Sequence, residues 1–242
     1  MKKISVVLPC YNEEKYIENT IREVAKFSAK NPEYEFIFVN DGSADKTLEL
    51  LQKNVDKIKS RKIKLISYEK NKGKGHAIKT GVTAADGDYI CFTDSDLAYS
   101  LNHLEELKKR LNNFDVVIGV RYLAKNNSMG VPFHRKMIGI SFNVLSRIIL
   151  NLKFKDMQAG IKGFRKEAAR KLFAKQKIEG WSFDTELLYL ANKNNYKVDE
   201  MPAELSDNNS YNYSKVKIVR DSAKMFFSLL KIKLNDITGK YD

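Results

Sequence analysis

Two aspartates separated by one residue follow an apolar run near the middle of this 242-residue chain. Residues 89–93 are typical of a short buried strand, and Asp94 and Asp96 come at its end. Neighbouring carboxylates raise each other's pKa and resist the loss of water, so a positive group is expected between them. Their hard oxygen atoms suit Mg²⁺ or Mn²⁺. A solvated turn that caps the next helix is the alternative.

The elements around this pair predict where it lies. Strand-like apolar runs alternate with helical patterns through about the first half of the chain, at residues 4–9, 34–39, 63–67, 89–93 and 115–120. This alternation predicts an α/β fold with a mostly parallel sheet and helices on both faces. In such sheets ligands bind at the carboxyl ends of the strands, and four candidate residues fall there. They are Pro9, Asp41, Asp94 and Arg121.

The second half of the chain has a less regular pattern. It predicts helices at residues 135–152 and 183–194, a late strand at 197–201, and an irregular glycine-containing segment at 155–164. From residue 215 an apolar stripe is flanked by lysines. A helix with such a stripe either packs on the core or lies in a membrane interface.

Three further motifs each allow two interpretations. Asp41, in an Asn-Asp-Gly-Ser turn, could accept hydrogen bonds from a base or ribose, or belong to a plain helix-capping turn. The turn at residues 71–75 could bind phosphate through backbone N–H groups, or be a flexible basic turn. Asp184 and Glu186, beside Trp181, could cap a helix and orient a sugar hydroxyl, or form an acidic first turn. The residues alone leave these alternatives open.

The positive charge of the chain is concentrated in one segment. The net charge is +13, and residues 121–175 contain 13 Lys and Arg against 2 Asp and Glu, a net of +11. Such a segment attracts phosphates, an anionic membrane surface or nucleic acid. A nucleic-acid-binding protein is a remote alternative, because the sequence contains no recognisable stacking-aromatic motif or nucleic-acid module. No nucleic-acid partner is therefore expected.

The sequence also bears on the compartment. The chain opens with Met-Lys-Lys directly before a strand, without a signal-peptide pattern. The longest apolar-leaning stretch, residues 137–150, is too short and too polar to span a bilayer. Cys10 and Cys91 lie in apolar runs and are expected to be buried, reduced thiols. We expect a cytoplasmic protein, peripheral on the cytoplasmic face of a membrane.

Together these motifs resemble the inverting GT-A glycosyltransferases of family 2, in particular the polyprenyl-phosphate type, which includes dolichyl-phosphate β-glucosyltransferases and dolichyl-phosphate mannose synthases. The matching segments follow the family's order over nearly the whole chain. They are residues 6–13 (VVLPCYNE), 39–47 (VNDGSADKT), 71–75 (NKGKG), 86–97 (DGDYICFTDSDL), 119–122 (GVRY), 156–164 (DMQAGIKGF), 181–191 (WSFDTELLYLA) and 214–215 (SK). The later segments are most similar to the β-glucosyltransferases.

The resemblance implies a nucleotide-diphospho-sugar transferase fold with a defined organisation. Residues 1–212 would form the GT-A catalytic domain, with a nucleotide-binding half at 1–120 and an acceptor half at 121–212. Residues 213–242 would form a C-terminal amphipathic helix, for which core packing and a membrane interface are both left open. Two departures weaken the mannose-synthase assignment: Ala98 stands where an extra Gln is common, and an expected arginine is missing from residues 207–213.

The resemblance also implies roles for individual residues. Asp94 and Asp96 would carry Mg²⁺ or Mn²⁺ on the diphosphate, with Ser95 in the same pocket and Asp96 essential for transfer. The residues implied to hold the nucleoside are Pro9, Tyr11, Glu13, Val39 and Asp41. Those implied to contact phosphates are Arg121, Arg135 and Lys215, of which Arg121 and Arg135 act in catalysis.

The expected reaction moves a hexose, with glucose favoured, from a nucleotide-diphosphate sugar to a polyprenyl phosphate with inversion. UDP-glucose is the favoured donor and GDP-mannose the other possible one. The alternatives are a mannosyl-phosphate-lipid synthase and a family 2 enzyme that glycosylates a hydroxyl of a cell-surface glycan. The last reaction needs a general base, for which Glu186 or Asp184 is the candidate.

Overall fold

Seven strands and eight helices are formed by the residues that the structure, a computed structural model, describes: 2–58, 60–121, 133–206 and 218–242. The strands are β1 (Ile4–Cys10), β2 (Tyr34–Asp41), β3 (Ile63–Tyr68), β4 (Tyr89–Phe92), β5 (Val116–Val120), β6 (Lys162–Arg165) and β7 (Val198–Pro202). The helices are α1 (Ile17–Lys30), α2 (Thr47–Ile58), α3 (Lys74–Ala84), α4 (His103–Arg110), α5 (Phe133–Leu150), α6 (Lys166–Lys175), α7 (Phe183–Lys193) and α8 (Ile218–Ile237).

The seven strands form one sheet in the order β3-β2-β1-β4-β6-β5-β7. Strand β6 runs antiparallel to both of its neighbours, β4 and β5, whereas the other paired strands are parallel. The predicted mostly parallel sheet is therefore confirmed. Because β1, β2 and β4 are parallel, their carboxyl ends meet at one edge of the sheet, where polar residues follow each strand.

Helices cover both faces of this sheet, because successive side chains along a strand point to opposite sides. Along β1, Val6 and Leu8 are buried in a cluster with apolar residues of α1, α2 and α4. Val7, between them, belongs to a second cluster with residues of α3, α5, α6, α7 and α8. The α/β arrangement expected from the alternating pattern is thus confirmed on both faces.

The sequence pattern did not predict β6 or α6. Strand β6 reads Lys-Gly-Phe-Arg, a composition with one strong β-forming residue in four. It is a strand because its backbone pairs with β4 and β5, with Gly163 opposite Cys91. A Cβ at Gly163 would approach a side-chain carbon of Leu111 at 3.0 Å and the sulfur of Cys91 at 3.1 Å. Tertiary pairing, not local propensity, forms this strand.

The other elements of the second half match their predictions within a few residues. Helix α5 was predicted at 135–152, α7 at 183–194 and β7 at 197–201. Helix α8 packs on α5 and α7 and buries Leu229 and Ile232 in the core. In the described part of the chain, no helix combines the length and apolar character needed to cross a bilayer.

Candidate active site

The carboxylate pair lies in a tight turn that leaves β4. The N–H of Thr93 still donates to the Val7 carbonyl of β1 at 3.1 Å, so the sheet fixes where the turn begins. The Leu97 N–H then donates to the Asp94 carbonyl at 3.1 Å, and Leu97 adopts a left-handed backbone with φ of +52°. The Ala98 N–H donates to Oδ1 of Asp96 at 3.0 Å. This turn sets Asp94 and Asp96 at the carboxyl edge of the sheet.

The charges of the two aspartates act on each other, and the Lys74 ammonium forms an ion pair with Asp94. Partial loss of water and then the charge of Asp94 raise the pKa of Asp96. Burial alone would lower the pKa of Lys74, but Asp94, Asp184 and Asp96 more than offset it, so its pKa is raised. The chain itself thus places one positive group, the Lys74 ammonium, beside Asp94, and the divalent cation expected on both carboxylates stays a prediction.

A second, buried ion pair lies next to this cluster. The Lys162 ammonium of β6 is fully buried, lies 3.0 Å from Oδ1 of Asp184, and donates to the Ala159 carbonyl at 2.7 Å. Burial raises the pKa of Asp184, and the charges of Lys162 and Lys74 offset only part of that rise. Of the two interpretations of Asp184, the acidic first turn of α7 is the one observed, and its carboxylate is there a buried partner of Lys162.

Gly160 forms the wall of the pocket against Asp94. A Cβ placed on Gly160 would lie 1.9 Å from Oδ2 and 2.6 Å from Cγ of Asp94. No side chain therefore fits at this position unless the carboxylate moves. The segment that leads into β6 thus confines Asp94 on one side, while Lys74 pairs with it.

The donor set of this pocket fits a divalent cation that shares its ligands with a substrate. Asp94 and Asp96 offer hard carboxylate oxygens at an exposed edge of the sheet. Within the described ranges, no cluster of three or more His, Cys, Asp or Glu side chains is arranged to hold a metal ion. Mg²⁺ commonly binds through one or two carboxylates together with substrate phosphates, which is the arrangement that two aspartates can provide.

Asp41 shapes the neighbouring loop. Its carboxylate accepts hydrogen bonds from the Tyr68 hydroxyl at 2.8 Å and the Asn71 amide at 2.9 Å. It also accepts from the backbone N–H groups of Lys72 at 2.8 Å and Gly73 at 3.0 Å. Because these two N–H groups of the turn at 71–75 already donate to Asp41, they are not available to bind a phosphate. The role of Asp41 toward a nucleoside stays a prediction.

The other residues expected to hold a nucleoside lie near the ends of β1, β2 and β4. Pro9 is within β1 and Tyr11 follows it, with 37% of its surface exposed. The Glu13 N–H donates to the Thr47 hydroxyl at 2.7 Å, which links this segment to α2. Val39 is fully buried, and Ser95 is buried with its carbonyl accepting from Thr20 at 2.6 Å. Their proposed contacts with a ligand stay predictions.

Arg121, expected to contact phosphate, binds a carboxylate of the chain in this structure. Its Nε and Nη2 donate to the two oxygens of Asp156 at 2.7 and 2.9 Å. Burial alone would raise the pKa of Asp156, but the charge and hydrogen bonds of Arg121 hold it below its ordinary value. The side chain of Arg135 and the whole of Lys215 lie outside the described residues.

The two candidate general bases, Asp184 and Glu186, are buried side chains. Glu186 is fully buried and accepts hydrogen bonds from the N–H groups of Lys177 and Ile178 and from the Tyr241 hydroxyl. Burial raises the pKa of Glu186, and these donors offset only part of that rise. Asp184 is 4% exposed and paired with Lys162. Both carboxylates therefore have partners within the fold, and the base role considered for a hydroxyl acceptor stays a prediction.

Four residues of this site were not singled out by their sequence. Their residue types do not stand out in the sequence, because glycine-bearing turns and scattered lysines are common. They are Lys74, Asp156, Gly160 and Lys162. A charge inside a glycine-rich turn was the available signal for Lys74, whereas the burial of Lys162 depends on the pairing of β6 and has no local signal.

Comparisons with known proteins give the family. Residues 5–173 match the model of Glycosyl transferase family 2. This chain belongs to glycosyl transferase family 2 and is a glycosyltransferase. The dolichyl-phosphate beta-glucosyltransferase ALG5C of Trichomonas vaginalis is 35% identical over 241 residues, which cover 94% of this chain and 70% of that protein. The human dolichyl-phosphate beta-glucosyltransferase is 34% identical over 78% of this chain and 63% of its own length.

Solved structures of other glycosyltransferases show the same fold. The glucosyl-3-phosphoglycerate synthase of Mycobacterium tuberculosis, solved with Mn²⁺, uridine diphosphate and glucosyl-3-phosphoglycerate, aligns with a TM-score of 0.66. The two chains are 17% identical, and the alignment covers 97% of this chain and 79% of the synthase. The expected GT-A fold is therefore confirmed.

Proposed function

We propose that this glycosyltransferase moves glucose from UDP-glucose to dolichyl phosphate or a related polyprenyl phosphate, with inversion at the anomeric carbon. The observation that carries the proposal is the Asp94–Asp96 pair at the carboxyl edge of the sheet, in a chain whose relatives are named dolichyl-phosphate beta-glucosyltransferases. The pair supports a diphosphate-bearing donor, and the names of the relatives support glucose and the lipid phosphate.

The acceptor chemistry requires little help from a base. A phosphate monoester is already largely anionic near neutral pH, since its second pKa is about 6. One of its oxygens attacks the anomeric carbon while the bond from that carbon to the nucleoside diphosphate breaks and the electron pair leaves with the diphosphate. Positioning and electrostatic stabilisation therefore supply most of the rate. The buried partners of Asp184 and Glu186 fit a reaction that uses neither as a base.

Residues of this chain would bind the two anions that the reaction brings together. Asp94 and Asp96 would hold Mg²⁺ or Mn²⁺, which when bound neutralises charge on the leaving diphosphate. Arg121 and Lys215 would contact phosphates, and Arg135 would help to hold the acceptor phosphate. Because the guanidinium of Arg121 binds Asp156, a phosphate would have to share it.

The test is a transfer assay with a matched pair of variants. Purified protein, dolichyl phosphate and Mn²⁺ are incubated with UDP-glucose or GDP-mannose, and the lipid product is identified by mass spectrometry. We expect glucosyl-phospholipid from UDP-glucose, abolished in Asp96→Ala. Asp86→Ala, an exposed aspartate preceding the opposite end of β4, should retain transfer. Turnover by Asp96→Ala, or transfer of mannose alone, would contradict the proposal.

We also propose that two helices meet a membrane that carries the lipid acceptor. Helices α5 and α8 pack together and expose apolar side chains, here called the two-helix surface. Its residues are Met137, Val144, Leu145 and Ile148 on α5, and Phe226, Phe227, Leu230, Leu234 and Ile237 on α8. Ile148 and Ile237 are 73% and 72% exposed, and such exposure of many large apolar side chains on two packed helices is typical of an interaction surface.

The charges on α8 support an anionic bilayer as the partner of this surface. Lys224, Lys231 and Lys233 are exposed on α8 beside its apolar residues. Amphipathic helices with lysines near the boundary bind membrane interfaces through apolar burial and attraction to anionic headgroups. The C-terminal helix, for which a membrane interface is one of the two expected locations, would thus act together with α5, which the sequence pattern did not suggest.

A further inference from the structure

The position of Lys74 next to Asp94 is built into the fold. Lys74 is the first residue of α3 and follows Gly73, whose φ is +102°. The backbone on both sides is held: the Gly73 N–H donates to Asp41 at 3.0 Å, and the Gly75 N–H donates to the Glu179 carbonyl at 2.7 Å. The start of α3 is therefore fixed, and Lys74 with it.

The side chain of Lys74 is confined as closely as its backbone. It is 15% exposed, and its ammonium lies 5.4 Å from the centre of the Trp181 ring. A cation over an indole face gains electrostatic attraction when it is shielded from water. Trp181 and Asp94 thus hold the ammonium between them.

The charges around Lys74 leave it as the partner of the metal-binding carboxylates. Asp94, Asp96 and Asp184 are the carboxylates that act on its ammonium. Lys162 lies 3.0 Å from Asp184 and is fully buried, so it is committed to that residue. Among the residues that the structure describes, Lys74 is then the ammonium whose charge offsets the Asp94–Asp96 pair. A divalent cation at this pair would be close to a fixed positive charge, and the two would repel.

We propose that Lys74 is an internal counter-ion that competes with the divalent cation for Asp94 and yields when a diphosphate offers it another anion. This inference rests on the proposed metal role of Asp94 and Asp96 and adds a consequence to it. Metal and nucleotide bind in a coupled way, each raising the affinity for the other, because the nucleotide relieves the repulsion that the metal meets. Without nucleotide, Lys74 keeps the carboxylate pair in place and disfavours metal binding.

The test measures metal binding and does not depend on catalysis. Mn²⁺ is titrated into the full chain by calorimetry, with and without UDP, for wild type, Lys74→Met and Lys72→Met. Lys72 is exposed in the same turn, so its variant removes the same charge without touching Asp94. Without UDP, we expect Lys74→Met to bind Mn²⁺ about tenfold more tightly than wild type, the range of a close charge pair. Lys72→Met should match wild type.

The coupling gives a second measurement. UDP should raise Mn²⁺ affinity strongly in wild type and much less in Lys74→Met, because the repulsion is already absent there. Equal or weaker Mn²⁺ binding by Lys74→Met, with its thermal unfolding unchanged, would overturn the inference. A double variant, Lys74→Met with Asp96→Ala, separates the two ideas. If it binds Mn²⁺ as tightly as Lys74→Met alone, the proposed metal site itself is wrong.

Discussion

Gly160 and Asp94 approach each other so closely that their contact is a direct test of the pocket. The Cβ of an alanine would lie 1.9 Å from the carboxylate oxygen, so Gly160→Ala must push Asp94 away. A displacement of about 1 Å at a reacting centre costs roughly 100-fold in rate. We expect that loss in glucosyl transfer, together with weaker Mn²⁺ binding in the presence of UDP.

The matched control for this variant is Gly180→Ala, since a Cβ at Gly180 meets nothing within 4 Å. It should keep transfer and thermal stability near those of wild type. If Gly160→Ala turns over as fast as Gly180→Ala, then Asp94 does not need its observed position.

The buried hydrogen bonds of Glu186 give it a structural role, which its amide variant tests. In Glu186→Gln, one side-chain oxygen becomes an NH₂ group that meets the Lys177 N–H together with either the Tyr241 hydroxyl or the Ile178 N–H. Leaving a buried donor unpaired costs about 1–3 kcal/mol. We expect a lower free energy of unfolding in urea, with kcat of the folded protein unchanged. An unchanged stability with a large loss of kcat would return Glu186 to the role of a base for a hydroxyl acceptor.

Among the elements, β1, β2 and β3 are tied together by one buried carboxylate. Glu35 of β2 accepts from the Ser5 hydroxyl of β1 and from the Asp86 N–H at 3.1 Å, and lies 3.1 Å from the Lys64 ammonium of β3. Burial alone would raise the pKa of Glu35, but these partners lower it to about 2. The charged form is thus favoured more in the folded state than in the unfolded state.

The sign of the resulting pH dependence follows from that lowered pKa. Stability from Glu35 is fully present above about pH 4.5, its ordinary pKa, and is lost as the pH falls toward about 2. The full contribution is roughly 3 kcal/mol, at 1.36 kcal/mol per pKa unit. We expect Glu35→Gln to lower the free energy of urea unfolding at pH 7 and to converge on wild type near pH 2.

The control is Glu49→Gln, at an exposed position on α2, which should follow wild type throughout. A constant difference between Glu35→Gln and wild type from pH 7 to 2 would contradict this assignment.

The same elements show what the sequence could and could not reveal. Periodic apolar runs predicted β1 to β5. In β1, β2, β4 and β5 nearly every side chain is buried, and β3, at the edge of the sheet, is half-buried. The Asp94–Asp96 pair was predicted because its residue types are chemically distinctive. By contrast, β6 carries Lys162 inward and depends on partners about 45 and 70 residues away in the chain. The pairing of Lys74 with Asp94 likewise depends on how α3 meets the end of β4, which no local pattern encodes.

For the molecule as a whole, the two-helix surface predicts binding to anionic vesicles. Phe227 and Leu234 are 66% and 58% exposed on this surface. The double variant Phe227→Glu, Leu234→Glu would place two negative charges there. We expect the double variant to lose co-sedimentation with vesicles of phosphatidylcholine and phosphatidylserine. The loss has two causes, since apolar burial and attraction to the headgroups both decrease. Transfer to a water-soluble short-chain polyprenyl phosphate should be retained.

A control of equal size keeps this test specific. Gln52→Glu with Asn54→Asp adds two negative charges on α2, on the opposite face of the sheet, and should leave vesicle binding intact. If both double variants lose binding equally, net charge rather than the two-helix surface governs membrane contact. Binding of wild type to neutral vesicles alone would also contradict the proposal.

The location of β6 has a consequence for how the chain is made. It lies between β4 and β5 although it follows both in the chain, and β5 pairs only with β6 and the still later β7 among the described strands. While the ribosome is still adding residues before Lys162, the first four strands can assemble, but β5 has no neighbour to join. The nascent protein then carries an open strand edge at β4, the kind that invites association with other chains. Once residues up to Arg165 are available, β6 can pair with β4, which closes that edge and brings Gly160 against Asp94. A product truncated before Lys162 would therefore be prone to aggregate and would be inactive.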